Sequence, residues 1–209
     1  MKILCVIPSR IASTRIQRKP LLPIQGKPMI QWVYENASRC KVVTDVIVAT
    51  DDNEIAALIH KIGGQAAMTD PLLATGSDRV AVVAQQHPDV DVVINLQGDE
   101  PFIKPHMLEQ LVAPYLAGEQ PDMTTLAYPC DLSTQHSNPG AVKVITDLHN
   151  NALYFSRAPI PYVRTELHAA VFHHIGRPPF RGHHRVMSQV PPKIVSQLLR
   201  AAILFPLTL

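Results

Sequence analysis

Apolar runs of strand length alternate along this chain with segments of helical period. Residues 3–7 (ILCVI) are an unbroken apolar run that stops at Pro8-Ser9-Arg10, the pattern of a short strand buried on both faces. Further on, Pro28 suits a first helical position, and Ile30, Val33, Tyr34 and Ala37 follow it at i, i+3, i+4 and i+7. Residues 46–49 predict a second strand, and Asp51 or Asp52 is placed to cap a helix that ends at Gly63-Gly64. A weaker strand signal at 66–68 precedes Ser77, a candidate cap for a helix through Gln86. Residues 90–96 read as a buried strand, Pro105 opens a helix to about residue 116, and 123–128 is strand again. This alternation predicts an α/β fold with a mostly parallel sheet and helices on both faces.

Beyond Tyr128 the rhythm loosens. Residues 142–146 and 153–156 predict strands flanking an Asp-Leu-His-Asn-Asn turn, which points to a mixed edge on the sheet. In open parallel sheets ligands bind outside the carboxyl ends of the strands, so the loops that follow strands carry the chemistry. Two stand out: 9–26 after the first strand, and Gln97-Gly98-Asp99-Glu100-Pro101 after the strand at 90–96.

Composition narrows the class. A chain of 209 residues, 46% hydrophobic and 17% charged, has the makeup of a globular protein with one sizeable core and at most a small excursion. The run at 3–7 is too short for a signal core, and the apolar run at 201–209 is far below the roughly 20 residues of a membrane span. Cys5, Cys40 and Cys130 are odd in number, far apart and without metal spacing, which fits space-filling thiols in a reducing cytoplasm. The net charge of +2 hides an asymmetry: residues 1–166 hold all 17 acidic side chains against 14 Lys or Arg, whereas 167–209 hold five Lys or Arg and no acid.

The first loop is the stronger chemical signal. Residues 1–34 carry six Lys or Arg and no acid, and Arg10, Arg15, Arg18 and Lys19 cluster just past the strand end. Arginine offers phosphate oxygens a bidentate fork and lysine a movable point charge, while Ser13 and Thr14 add hydroxyl donors. A solvated surface loop and a nucleic-acid patch are the competing readings. The slightly acidic body and the lack of interleaved aromatics count against nucleic acid. The second loop offers adjacent carboxylates, Asp99 and Glu100, and Mg2+ is commonly held by one or two carboxylates plus substrate phosphates. Its bland reading is a tight turn. Two loops of opposite charge on one sheet edge together predict a nucleoside-triphosphate site with metal. The histidine pairs His173-His174 and His183-His184 invite a zinc reading, but no Cys or acid accompanies them.

With these motifs in order, the chain resembles the cytidylyltransferases that activate 3-deoxy-manno-octulosonate (Kdo), a sugar acid of bacterial lipopolysaccharide. "IPSRIASTR", "KPL" and "GKPMI" resemble that family's nucleotide loop, "VATDD" and "GSDR" its next markers, and "NLQGDEP" its metal loop. "NPGAVKV", "ALYFSRAPIPY" and "HHIG" resemble the segments on the sugar side. The resemblance implies a Rossmann-like nucleotidyltransferase fold related to glycosyltransferase A, working in the cytoplasm as a homodimer without nucleic-acid or membrane partners. By the same resemblance Arg10, Arg15 and Lys19 grip the CTP phosphates. Pro8, Ser13, Ser77, Arg79 and Gln97 lie near the nucleoside, Asp99 binds Mg2+, and Arg157 and His174 face Kdo.

Two departures accompany the resemblance. Where the family commonly reads Leu-Pro-Gly-Lys-Pro, this chain has Ile16-Gln17-Arg18-Lys19-Pro20. After Gly176 the text turns basic and acid-free, without the Gly-Val-Asp-Thr-Pro type motif whose Asp supplies a second metal carboxylate in the family. The expectation is a cytidylyltransferase-like domain over 1–176 and an aberrant tail over 177–209, from a lost reading frame or from divergence. An inactive CTP-binding remnant is then the alternative to an enzyme, and a cytidylyltransferase for another sugar acid a further one.

Overall fold

The computed structural model describes residues 1–12, 16–130, 133–162, 164, 171–175 and 201–204. These fall into two compact units, Met1–Glu109 and the residues from Gln110 on. The elements of the first are β1 (Ile3–Ser9), a 3-10 turn at Lys19–Leu21, the short strands β2 (Pro23–Ile24) and β3 (Lys27–Pro28), α1 (Met29–Ser38), β4 (Asp45–Thr50), α2 (Asn53–Lys61), β5 (Gln65–Met68), α3 (Gly76–Gln85) and β6 (Val92–Asn95). Then come α4 (Pro105–Leu116), β7 (Met123–Pro129), β8 (Lys143–Thr146), β9 (Ala152–Ser156), β10 (Phe172–Ile175) and β11 (Ala201–Leu204).

The first unit is built on a parallel sheet in the order β5-β4-β1-β6. β1 has a strand on each side and a layer on each face, which is why five consecutive residues, Ile3 to Ile7, are all buried. Leu4 and Val6 share a cluster with Ile47 and Ala49 of β4 and Val80 and Val83 of α3. The alternate residues Ile3, Cys5 and Ile7 must point the other way, toward the side where α1 contributes buried Ile30, Val33 and Ala37. Each such Ile, Leu or Val side chain contributes about 1.5–3 kcal/mol when fully buried. Burial also pushes the Cys5 thiol well above the ordinary range, with Cys40 adding to it, so this cysteine fills space.

Local chemistry fixes the helix starts. Asp52 caps α2 by accepting from the amides of Glu54 and Ile55, and Gly63 past its end takes φ 79°. The cap of α3 is Thr75 and not Ser77: its hydroxyl accepts from the Asp78 amide while the Asp78 carboxylate accepts from the Thr75 amide. That reciprocal box needs Thr-x-x-Asp spacing, so the helix starts one residue before Ser77 and leaves the Ser77 hydroxyl for other use. Thr75→Ala should therefore cost about 1 kcal/mol in a denaturant melt. Ser77→Ala should cost little stability in the same melt.

The second unit holds a sheet in the order β11-β7-β10-β8-β9, antiparallel except for the β11–β7 pair. The strands expected as a mixed edge thus make a sheet of their own among the described residues. Five residues, 147–151, join β8 to β9; a parallel return needs a dozen or more. Asp147 organises that turn by accepting from the amides of His149 and Asn151, with Asn150 at φ 63°.

Candidate active site

Parallel pairing puts the carboxyl ends of β1, β4, β5 and β6 at one edge, and the segments leaving them are closely packed. A Cβ added to Gly98, after β6, would lie 2.9 Å from the Pro8 carbonyl oxygen; one on Gly76, at the start of α3, would lie 3.2 Å from Pro8 Cγ. Both glycines therefore let backbone come up against the end of β1.

Across this edge the two oppositely charged loops meet. Lys19 Nζ donates to Asp99 Oδ2 at 2.6 Å, joining residues 80 apart in sequence. Both side chains are more than one-third exposed, at 35% and 46%, so the pair is worth at most about 1 kcal/mol. A ligand that offers each of them a better partner can separate them. Glu100 stands beside Asp99 with its carboxyl held above the usual range, first by burial and then by the Asp99 charge, against the pull of Lys19. Exposed Arg10 follows directly on β1, while Ser13 and Arg15 lie outside the described residues.

Arg18 occupies the position that departs from the family's glycine, and it takes φ 53°, the left-handed conformation glycine adopts without cost. A non-glycine residue holds that conformation at a penalty of order 1 kcal/mol. The Arg18 guanidinium turns away to Glu54, with both carboxylate oxygens within 2.6 Å.

Polar contacts join two of the predicted nucleoside residues, Ser77 and Gln97, through one that the sequence reasoning passed over. Gln97 Nε2 donates to Asn95 Oδ1 at 3.1 Å, and Asn95 Nδ2 donates to the Ser77 hydroxyl at 3.3 Å. Asn95 ends a strand whose exit loop was already singled out, and that was its available signal. Arg79 is a different case. It is 1% exposed, its NH2 donates to Asp51 Oδ2 at 2.6 Å and its NH1 to the Thr69 hydroxyl. Thr69 Oγ1 in turn donates to the Thr50 carbonyl oxygen, and Asp51 Oδ1 accepts from the Ile11 amide at 3.4 Å. With both terminal nitrogens engaged, Arg79 ties together the segments after β1, β4 and β5, which makes it a positioning residue for this edge.

In the second unit Arg157 follows β9 and is exposed; its NH1 donates to the carbonyl oxygens of Pro139 at 2.8 Å and Gly140 at 3.3 Å. His174 is 4% exposed, its Nε2 lies 2.6 Å from the Thr125 hydroxyl and its ring meets Phe155 edge-on. His173 instead bonds through Nδ1 to the Tyr128 hydroxyl, with burial and then the charge of Lys143 lowering its pKa. Neighbours on a strand point to opposite faces, so the pair does not converge on one metal ion; His183 and His184 lie outside the described residues. Among the described residues no three His, Cys, Asp or Glu side chains form a metal-holding group.

Known proteins with these features are informative. A family profile described as cytidylyltransferase matches residues 4–199. The 3-deoxy-manno-octulosonate cytidylyltransferase of Acaryochloris marina is 50% identical over 194 residues, covering 92% of this chain and 79% of that protein. Its counterpart in Synechococcus elongatus is 45% identical over 194 residues, 92% of this chain and 80% of the other. The likeness therefore continues past Gly176, where the sequence reading has it end. Among solved structures, a CMP:2-keto-3-deoxy-manno-octonic acid synthetase complexed with CTP superposes with a TM-score of 0.81 at 35% identity, covering 99% of this chain and 91% of that one. A cytidylyltransferase from Leptospira borgpetersenii shares the fold at 21% identity, with a TM-score of 0.52 over 66% of this chain. On the extent of these matches and the motifs that carry them, the chain belongs to the cytidylyltransferase family.

Proposed function

We propose that this chain transfers CMP from CTP to the anomeric hydroxyl of Kdo, giving CMP-Kdo and pyrophosphate for lipopolysaccharide biosynthesis. The observation that carries the reading is the meeting of Lys19 with Asp99 at the carboxyl edge of the parallel sheet. A cation and a carboxylate that pair weakly with each other are suited to trade that pair for a triphosphate and a metal ion.

In this reading Arg10, Arg15 and Lys19 hold the phosphates, and Ser77 and Gln97, linked through Asn95, border the nucleoside with Pro8 and Ser13. Arg79 contributes by fixing the edge. Asp99 holds Mg2+, which when bound supplies charge neutralisation on the phosphate oxygens. The Kdo hydroxyl attacks the α-phosphorus and gives up its proton to solvent, the bond from the α-phosphorus to the bridging oxygen breaks, and pyrophosphate leaves with the negative charge that Lys19 and the arginines offset. Positioning and electrostatics dominate such a transfer. Arg157 and His174 receive the sugar acid, Arg157 through its carboxylate.

A homodimer in the cytoplasm completes the proposal. Its support is the apolar β8–β9 hairpin at a sheet edge, with Leu148, Leu153 and Tyr154 exposed at 99%, 63% and 59%. No described helix is long and apolar enough to cross a membrane. A second reading, CTP binding without turnover, draws on the acid-free composition of 167–209. Phosphorus NMR of the chain with CTP, Kdo and Mg2+ tests the acceptor. A phosphodiester signal of CMP-Kdo is expected with Kdo and none with a neutral hexose; equal product from both would contradict the assignment of a sugar-acid acceptor.

A further inference from the structure

Lys143 is fully buried, at 0% exposure, yet no carboxylate pairs with it among the described residues. Its Nζ donates to three carbonyl oxygens: Arg157 at 2.7 Å, Ala141 at 2.8 Å and Asn138 at 2.9 Å. All three ammonium protons are thereby used. Burial lowers its pKa, with Cys130 opposing the shift and the nearby Arg157 charge adding to it. An apolar side chain of similar length would avoid the desolvation cost of a buried cation, so this lysine calls for a reason beyond packing.

The pattern of acceptors supplies one. Four consecutive carbonyls, those of Asn138, Pro139, Gly140 and Ala141, are all taken by two cations, the first and last by Lys143 and the middle two by Arg157 NH1. Asn138 closes the turn by accepting from the Gly140 amide at 2.7 Å through its side chain. Lys143 also holds the backbone of Arg157 itself. Main chain and guanidinium of Arg157 are thus set by one turn, and that turn is set by Lys143. We propose that Lys143 is a positioning residue for acceptor recognition, fixing the 138–141 turn so that the exposed guanidinium of Arg157 is presented in one orientation to the carboxylate of the sugar acid. This rests on the reading above that Arg157 receives that carboxylate. Preorganising a fork of donors lowers the ordering cost of binding.

Calorimetric titration of the full chain with Kdo and, separately, with CTP reads the effect without requiring turnover. Lys143→Met is expected to weaken Kdo by about tenfold or more and to leave CTP affinity unchanged. The double variant Lys143→Met with Arg157→Ala should bind Kdo no worse than Arg157→Ala alone, because the lysine acts through the arginine. Should Lys143→Met not fold, Asn138→Ala unties the same turn while leaving the buried cation, and it carries the same selective loss. Additive losses, equal weakening of Kdo and CTP, or no weakening of Kdo would each overturn the proposal. If Arg157→Ala alone leaves Kdo binding intact, or the unaltered chain binds no Kdo, the underlying reading of the acceptor site fails with it.

Discussion

Asp99→Asn is expected to lower CMP transfer by about 100-fold or more while shifting the melting temperature by no more than about 2 °C. The stability expectation follows from exposure: Asp99 sits on a loop, 46% accessible, and among the described residues its ion pair is with Lys19 alone. The rate expectation follows from charge, because a neutral amide is a far weaker Mg2+ ligand than a carboxylate. The same substitution makes a second, opposite prediction. With the carboxylate gone Lys19 is released, so metal-free CTP should bind up to about fivefold more tightly. Steady-state kinetics and metal-free titration of one variant thus report the two halves of the trade separately. Loss of activity with weaker metal-free binding would mean that Asp99 holds Lys19 in place for the phosphates, rather than competing for it.

Arg79→Met should be the most destabilising single change at this edge. The Arg79–Asp51 pair is 1% and 8% exposed, and removing one partner of a buried pair strands the other charge at a cost of about 3–5 kcal/mol. For a chain of this size that lowers the melting temperature by roughly 10 °C. Removing both charges together, Arg79→Met with Asp51→Leu, should recover much of the loss, since no buried charge is then left alone. Thermal melts of the two variants check this. A small loss in Arg79→Met accompanied by weaker CTP binding would instead assign the guanidinium to the nucleotide.

The parallel sheet was legible because its inner strands β1 and β4 are buried on both faces and read as apolar runs, at 3–7 and 46–49. The charged loops were legible for a related reason: parallel strands bring all their exits to one edge, so Lys19 and Asp99 meet without either being near the other in sequence. What the one-dimensional pattern could not carry was which residue takes which polar partner. Ser77 and Thr75 are both good caps, and the reciprocal bond from Asp78 decides between them. Arg79 belongs to a motif that the resemblance places near the nucleoside, and its buried bond to Asp51, 28 residues away, is not written in that motif. Lys143 reads as an ordinary strand lysine until four carbonyls converge on it and on Arg157. The separate, mostly antiparallel sheet was hidden for want of long helical segments between its short strands, which blurs the period that distinguishes one sheet from two.

The central claim is that a chain with this charged edge turns over CTP in the presence of Kdo, and pyrophosphate release tests it most directly. The account predicts steady release when CTP, Kdo and Mg2+ are all present, and none above background when any one is left out. Saturable CTP binding with no pyrophosphate in the complete mixture would contradict it and leave a nucleotide-binding chain without the transfer.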